Sequence, residues 1–288
     1  MSQLHIIDIF PAFLDFWQKA RLKPLDDQKD DWFALYMAPW PELLHKQLDD
    51  YAAQDEDWRA IAAGHVFPSL DQRLPDMAII HRQLPGIMET LYLRAQDLLD
   101  LDCDLVALMY VGIGCGAGWV TTYEDKQAIL FGLENIAEEG WTKSVTLEAF
   151  VGHELGHVAH FNWRERANMA DGSGPWWQLY TEGFAQWCEH LMLGKPAWHM
   201  QDEEEIDWLG WCQENRSWLA TEFFRSVQRE ESTRPFFGSW YDIRGYKQTG
   251  YFLGHELIQI LAGEMSLHEI GLIEDMAVIS HAFESLHD

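Results

Sequence analysis

The run His153-Glu154-Leu155-Gly156-His157 sets two imidazoles four residues apart, with a carboxylate next to the first. On a helix, at about 100° per residue, positions four apart project only about 40° from one another. Two rings one turn apart can both reach a single Zn²⁺ at about 2.0–2.1 Å. Glu154 is angled to meet a water on the metal rather than the metal itself, the position of a general base. Gly156 is expected to leave room on the substrate side, at some cost in helix propensity.

A hydrolytic zinc takes three protein ligands and leaves one position for water. A histidine six residues beyond His157 would complete one such set, but Trp163 stands there. His160 follows His157 by three residues on the same helix, where three ligands from two turns strain a tetrahedron. Glu182 is the better candidate. It lies in the segment 174–193, where Trp177, Tyr180, Phe184, Trp187 and Leu191 make an apolar face at steps of three and four. Glu182 falls opposite that face beside Gln178, Gln186 and Glu189, and Glu189 is the runner-up as ligand. Gly183 and Ala185 are small enough to let this helix approach the metal helix, and Gly194 with Pro196 ends it.

Other elements must hold these groups in place. Ser144 or Thr146 can cap the metal helix, and Leu147, Val151, Leu155 and Val158 give it an apolar back opposite the histidines. Residues up to about 100 read as helices broken by prolines, the best being Pro41–Ala53 and 85–101. Strands are predicted at 105–111 and 128–131, on either side of the glycine-rich stretch 112–118. The second strand reads either as a sheet edge open to an extended peptide or as a core strand. From Ser144 the pattern is helical almost to the end. The expected fold is α+β: an N-terminal helical region, 1–100, and a mostly helical catalytic domain with a small mixed sheet, 101–288.

HExxH followed by a helix-borne glutamate resembles the gluzincin group of metallopeptidases. Thr181-Glu182-Gly183-Phe184-Ala185 is similar to the NEGFA segment that carries the glutamate ligand in the aminopeptidase N family. That family's GAMEN exopeptidase signature has only a short echo in Gly132-Leu133-Glu134-Asn135, so the likeness does not extend to recognition of a substrate's N-terminal amine. A closer resemblance is to a bacterial family of predicted zinc-dependent proteases, a domain of unknown function. Its outline is a strand ending in an I-x-x-G-x-E-like run, HExxH, an EG[LF]A segment and a late FyG…GYxxG block. Residues 129–134, 153–157, 182–185, and Phe237-Gly238 through Gly250-Tyr251-Phe252-Leu253-Gly254 correspond, spanning about residues 105–262.

The resemblance implies Zn²⁺ held by His153, His157 and Glu182, a peptide or protein substrate, and hydrolysis by a zinc-activated water. Glu154 would take that water's proton and return it to the leaving amine. In gluzincins a downstream tyrosine or histidine often steadies the oxyanion, and Tyr246, Tyr251 and His255 are available here. Tyr251 ranks first, because Gly250 and Gly254 permit close approach. The alternative is a zinc-containing binding or regulatory protein with lost or marginal peptidase activity, against which the intact Glu154 argues.

With 47 acidic residues against 20 basic, a net charge of −27, the surface repels phosphate backbones, and no nucleic-acid partner is expected. The acidic clusters 26–31, 49–57 and 202–205 read as solvated faces or loops. No apolar run is long enough to span a bilayer and no early segment resembles a signal peptide, so no membrane association and a cytoplasmic location are expected. Cys103, Cys115, Cys188 and Cys212 are scattered and read as free thiols. The fifteen tryptophans read as core and inter-helix packing.

Overall fold

Residues 105–110, Leu-Val-Ala-Leu-Met-Tyr, form an unbroken apolar run, which suits a strand covered on both faces. In the computed structural model, which describes residues 2–201, 207–238 and 240–287, that run lies inside a four-stranded sheet. The acidic cluster at 202–205 lies outside the described residues. The strands are β1 (Leu4–Asp8), β2 (Leu105–Tyr110), β3 (Gly118–Tyr123) and β4 (Lys126–Gly132), in the order β1-β2-β4-β3. Leu4 faces Leu105 and Leu105 faces Gln127 in parallel pairs, while β3 runs antiparallel to β4. Glu124 and Asp125 join those last two strands with φ of 49° and 60°, the two positive values that a tight hairpin turn demands. The chain is α+β, with one mixed sheet.

β4 lies between β2 and β3, which overturns the reading of 128–131 as a sheet edge; β1 and β3 are the edges. Both edge strands escaped the sequence pattern. Most of their residues are half-exposed, so neither carries the continuous apolar run that marks β2.

Two compact units divide the chain: Met1–Thr90 with Asp102–Leu147, and Leu91–Leu101 with Glu148–Asp288. This division does not coincide with a boundary near residue 100, because β1 pairs with β2 and draws the first residues into the sheet. The first unit holds α1 (Phe10–Ala20), α2 (Leu25–Asp31), α3 (Pro41–Ala53), α4 (Trp58–Ile61), most of α5 (Leu70–Leu99) and α6 (Leu133–Glu138). Pro75 and Pro85 sit within the single helix α5, so proline does not break the chain at 85 as expected. Each costs about 3 kcal/mol in a helix interior. Complete burial of Met77, Ile80 and Leu84 on one stripe offsets much of that. The Gly132–Asn135 echo also belongs to this unit. Glu134 is fully buried; its Oε1 accepts from the Gly114 amide at 3.4 Å, and burial lifts the carboxyl to about 7.

The second unit contains α7 (Ser144–Arg166) from Glu148 onward, then α8 (Pro175–Leu193), α9 (Trp208–Glu214), α10 (Arg216–Gln228), α11 (Arg234–Phe237), α12 (Thr249–Leu261), α13 (Leu267–Gly271) and α14 (Met276–Glu284). Close approach of the long helices here is made by glycine. A Cβ on Gly156 of α7 would stand 2.8 Å from the Cβ of Cys188 and 2.9 Å from the Cα of Ala185, both on α8. On the other side of α8, a Cβ on Gly183 would meet the backbone of Gly254, and one on Gly254 would stand 2.6 Å from the Leu179 carbonyl. Helix α8 is therefore wedged between α7 and α12 at backbone contact.

Gly183→Ala should lower stability by about 1–3 kcal/mol, the usual range for overpacking. The helix propensity that alanine gains, about 1 kcal/mol, is smaller than a clash with backbone that no rotamer can relieve. Urea unfolding measures it, and a raised midpoint would contradict the wedge.

Candidate metal centre

Helix α7 is buried nearly all round: Leu147, Val151, Leu155 and Val158 are wholly covered, as expected of its back, and His153 and Glu154 are also buried. Gly156 faces α8 rather than a substrate side, which corrects the role expected for it. Helix α8 departs further from its sequence pattern. Tyr180 and Phe184 are buried as expected, but Leu191 is 40% exposed, while Gln186 and Glu189 on the supposedly polar face are fully buried. A helix packed on two sides has no single apolar face to read.

The wedge brings three atoms that could ligate a metal together. His153 Nε2 lies 3.2 Å from Glu182 Oε2, His157 Nε2 lies 3.2 Å from the same oxygen, and the two nitrogens are 3.1 Å apart. At most two of three such mutual contacts can carry a proton, so hydrogen bonding leaves one pair of polar atoms opposed. A cation at the centre satisfies all three. Ligands at about 2.0–2.1 Å around a tetrahedral ion are separated by about 3.3 Å, close to the three edges here. Among the described residues, the other group able to hold an ion is His153, Glu189 and His199.

Access differs across the triangle. The side chain of His153 is 3% exposed, whereas those of His157 and Glu182 keep 20% and 18%, so the open side lies over the latter two. Burial also sets the charges. It pulls His153 down to about 4, leaving a neutral ring with a free nitrogen lone pair. Burial opposes ionisation of Glu182 too, but the charge of His157 and contacts with both imidazoles outweigh it and hold that carboxyl well below its usual range. At His157 burial is again outweighed, here by Glu182, and the ring is raised. Glu154 is 7% exposed; burial lifts its carboxyl to about 7, with His157 opposing and Glu182 reinforcing.

The chain matches no protein-family model, no curated protein and no solved structure.

Of the three downstream candidates, Tyr251 is the one that packs against a member of the triangle. Its ring lies 5.4 Å from that of His153. Tyr246 stacks on Trp211 at 4.0 Å, and His255 is enclosed by Trp187, Trp198 and His190. The glycines beside Tyr251 serve the fold: Gly250 lies under the Phe237 ring and Gly254 against α8. The contact of Gly250 with Phe237 joins the two halves of the late FyG…GYxxG block.

His160 is also engaged elsewhere. Its Nε2–H donates to the Tyr180 hydroxyl at 3.0 Å, and that hydroxyl donates to the Ile270 carbonyl. Trp163 donates to the Leu99 carbonyl at 2.8 Å. Glu189 stands behind His153, its Oε2 3.8 Å from Nδ1, and makes a 2.8 Å hydrogen bond with His199 Nδ1. His199 was not legible in the sequence. It follows α8 in an irregular segment, and no spacing rule ties it to the ligands.

No helix among the described residues is long and apolar enough to cross a membrane. The four cysteines are free thiols, Cys188 and Cys212 buried.

Proposed function

We propose that this chain is a zinc metallopeptidase of gluzincin type, with His153, His157 and Glu182 as ligands and Glu154 as general base. The observation that carries the reading is a triangle of three donor atoms, exposed on the side of His157 and Glu182, with a buried carboxyl on the residue next to His153. A structural zinc is closed by four protein ligands, whereas a catalytic one keeps a position free. Two imidazoles and one carboxylate suit zinc better than calcium or magnesium, which favour oxygen ligands.

When bound, zinc supplies a water of lowered pKa and a Lewis acid for the substrate carbonyl. Glu154, whose carboxyl burial raises to about 7 in the metal-free chain, would take the proton of that water as general base. The same carboxyl then donates that proton to the departing amine, so the residue ends as it began. His153 and Glu182 are fixed by the wedge of α7 and α8, which keeps the open side over His157 and Glu182. Tyr251, whose ring packs against that of His153, would be the donor to the oxyanion of the tetrahedral intermediate.

Purified protein should carry one zinc per chain and cleave members of a mixed peptide library. Absence of zinc after reconstitution would sink the metal centre. Zinc without cleavage would favour a binding or regulatory protein.

A further inference from the structure

The residues behind the triangle form a buried group of their own. His153, Glu189 and His199 are 2%, 0% and 3% exposed, and each comes from a different segment: α7, α8 and the stretch that follows α8. His153 Nδ1 has no hydrogen-bond partner, although it is completely enclosed. The carboxylate oxygen that faces it is Glu189 Oε2, 3.8 Å away, about 0.8 Å beyond a normal hydrogen bond. Glu189 is itself anchored through His199 Nδ1 at 2.8 Å, and the His199 ring packs edge-on against His153 at 4.9 Å.

We infer that Glu189 and His199 are positioning residues for the metal centre: Glu189 accepts the Nδ1 proton of His153, and His199 fixes the Glu189 carboxylate in the orientation that does so. The inference rests on the metal-centre reading above. A cation on Nε2 leaves the proton of a neutral imidazole on Nδ1, which makes that atom an obligate donor. An enclosed donor without an acceptor costs about 1–3 kcal/mol. Glu189 is the acceptor across the gap, and closing it takes less than about 1 Å of side-chain movement. The bond would fix the tautomer and rotation of His153 and raise its basicity as a ligand.

These three residues could instead hold a second ion. Geometry and access argue against that. The 2.8 Å separation of His199 Nδ1 and Glu189 Oε2 suits a hydrogen bond and is shorter than the roughly 3.3 Å between ligands of a tetrahedral zinc. No member of the group has an exposed side from which an ion or water could enter.

Chelator competition on the full chain, with zinc as the probe, tests the inference. Glu189→Gln should weaken zinc binding about 10–100-fold, the effect usual for outer partners of a ligating histidine. Wild type should bind one zinc. Imidazole ¹⁵N–¹H spectra of the zinc form should show a slowly exchanging Nδ1 proton on His153, and Glu189→Gln should shift it and speed its exchange. A role in packing alone would move neither the tautomer signal nor its exchange.

His199→Phe keeps the ring volume and loses the donor; it should weaken zinc less than Glu189→Gln, and His199→Gln should recover part of the loss. If Glu189→Gln does not fold, the two His199 variants decide. Unchanged affinity and an unchanged Nδ1 proton in the variants overturn the positioning role while leaving the metal centre standing. Two zinc ions per wild-type chain replace it with a second site, and no zinc in wild type removes both.

Discussion

Glu154→Gln is expected to lower peptide hydrolysis about 10²–10⁴-fold while zinc stays bound, the range that loss of a positioned acid–base group commands. Glutamine keeps the volume and planar shape of the side chain but cannot take up a proton. The substitution should not harm folding. Burial raises the folded-state pKa of Glu154 to about 7 from an ordinary 4.5, so in metal-free protein ionised Glu154 loses stability as pH climbs through that window. Glutamine removes that loss, and with zinc stripped by chelator the variant should melt at or above wild type at about pH 8, above the raised pKa. Rates on peptides, zinc content and melting together check the assignment. Wild-type rates in the variant would remove Glu154 from the chemistry; loss of zinc along with activity would make it a ligand.

The legibility of each feature in the sequence depends on how local it is. His153 and His157 share one helix, and the spacing rule for a single helix needs nothing else. Glu182 lies on a different helix, yet the short Glu-Gly-Phe-Ala run carried it, because Gly183 and Ala185 are small for the same reason that α8 can touch its neighbours. The face arithmetic for α8 failed in part. Helical periodicity assumes one wet side, and α8 has packing against both α7 and α12, so Glu189 and Gln186 are buried where the pattern put them in solvent.

Features set by long-range pairing were the least visible. β1 joins the sheet only because β2, about a hundred residues later, offers it a parallel edge. His199 meets Glu189 through the turn of chain after α8, which no periodicity describes. The prolines of α5 illustrate a different limit: local propensity reads them as breaks, and tertiary burial overrides it.

Removal of the proposed third ligand should have the clearest effect on metal. Glu182 is the only member of the triangle that brings negative charge to the cation, and both imidazole nitrogens lie 3.2 Å from its Oε2. Glu182→Ala should weaken zinc by more than the roughly 10–100-fold expected of an outer partner. Thermal or urea unfolding with and without zinc measures this by linkage. At free zinc about 100 times the wild-type Kd, bound metal should stabilise wild type by about 2.7 kcal/mol. A variant at least about 100-fold weaker gains no more than about 0.4 kcal/mol at the same zinc concentration. His157→Ala should behave alike, since His157 sits on the open side of the same triangle. An undiminished zinc effect in Glu182→Ala would move the ion to the buried group of His153, Glu189 and His199, where no position is open to a substrate. The same measurement therefore bears on catalysis as well as binding, because only the triangle containing Glu182 has the exposed side that a hydrolytic centre requires.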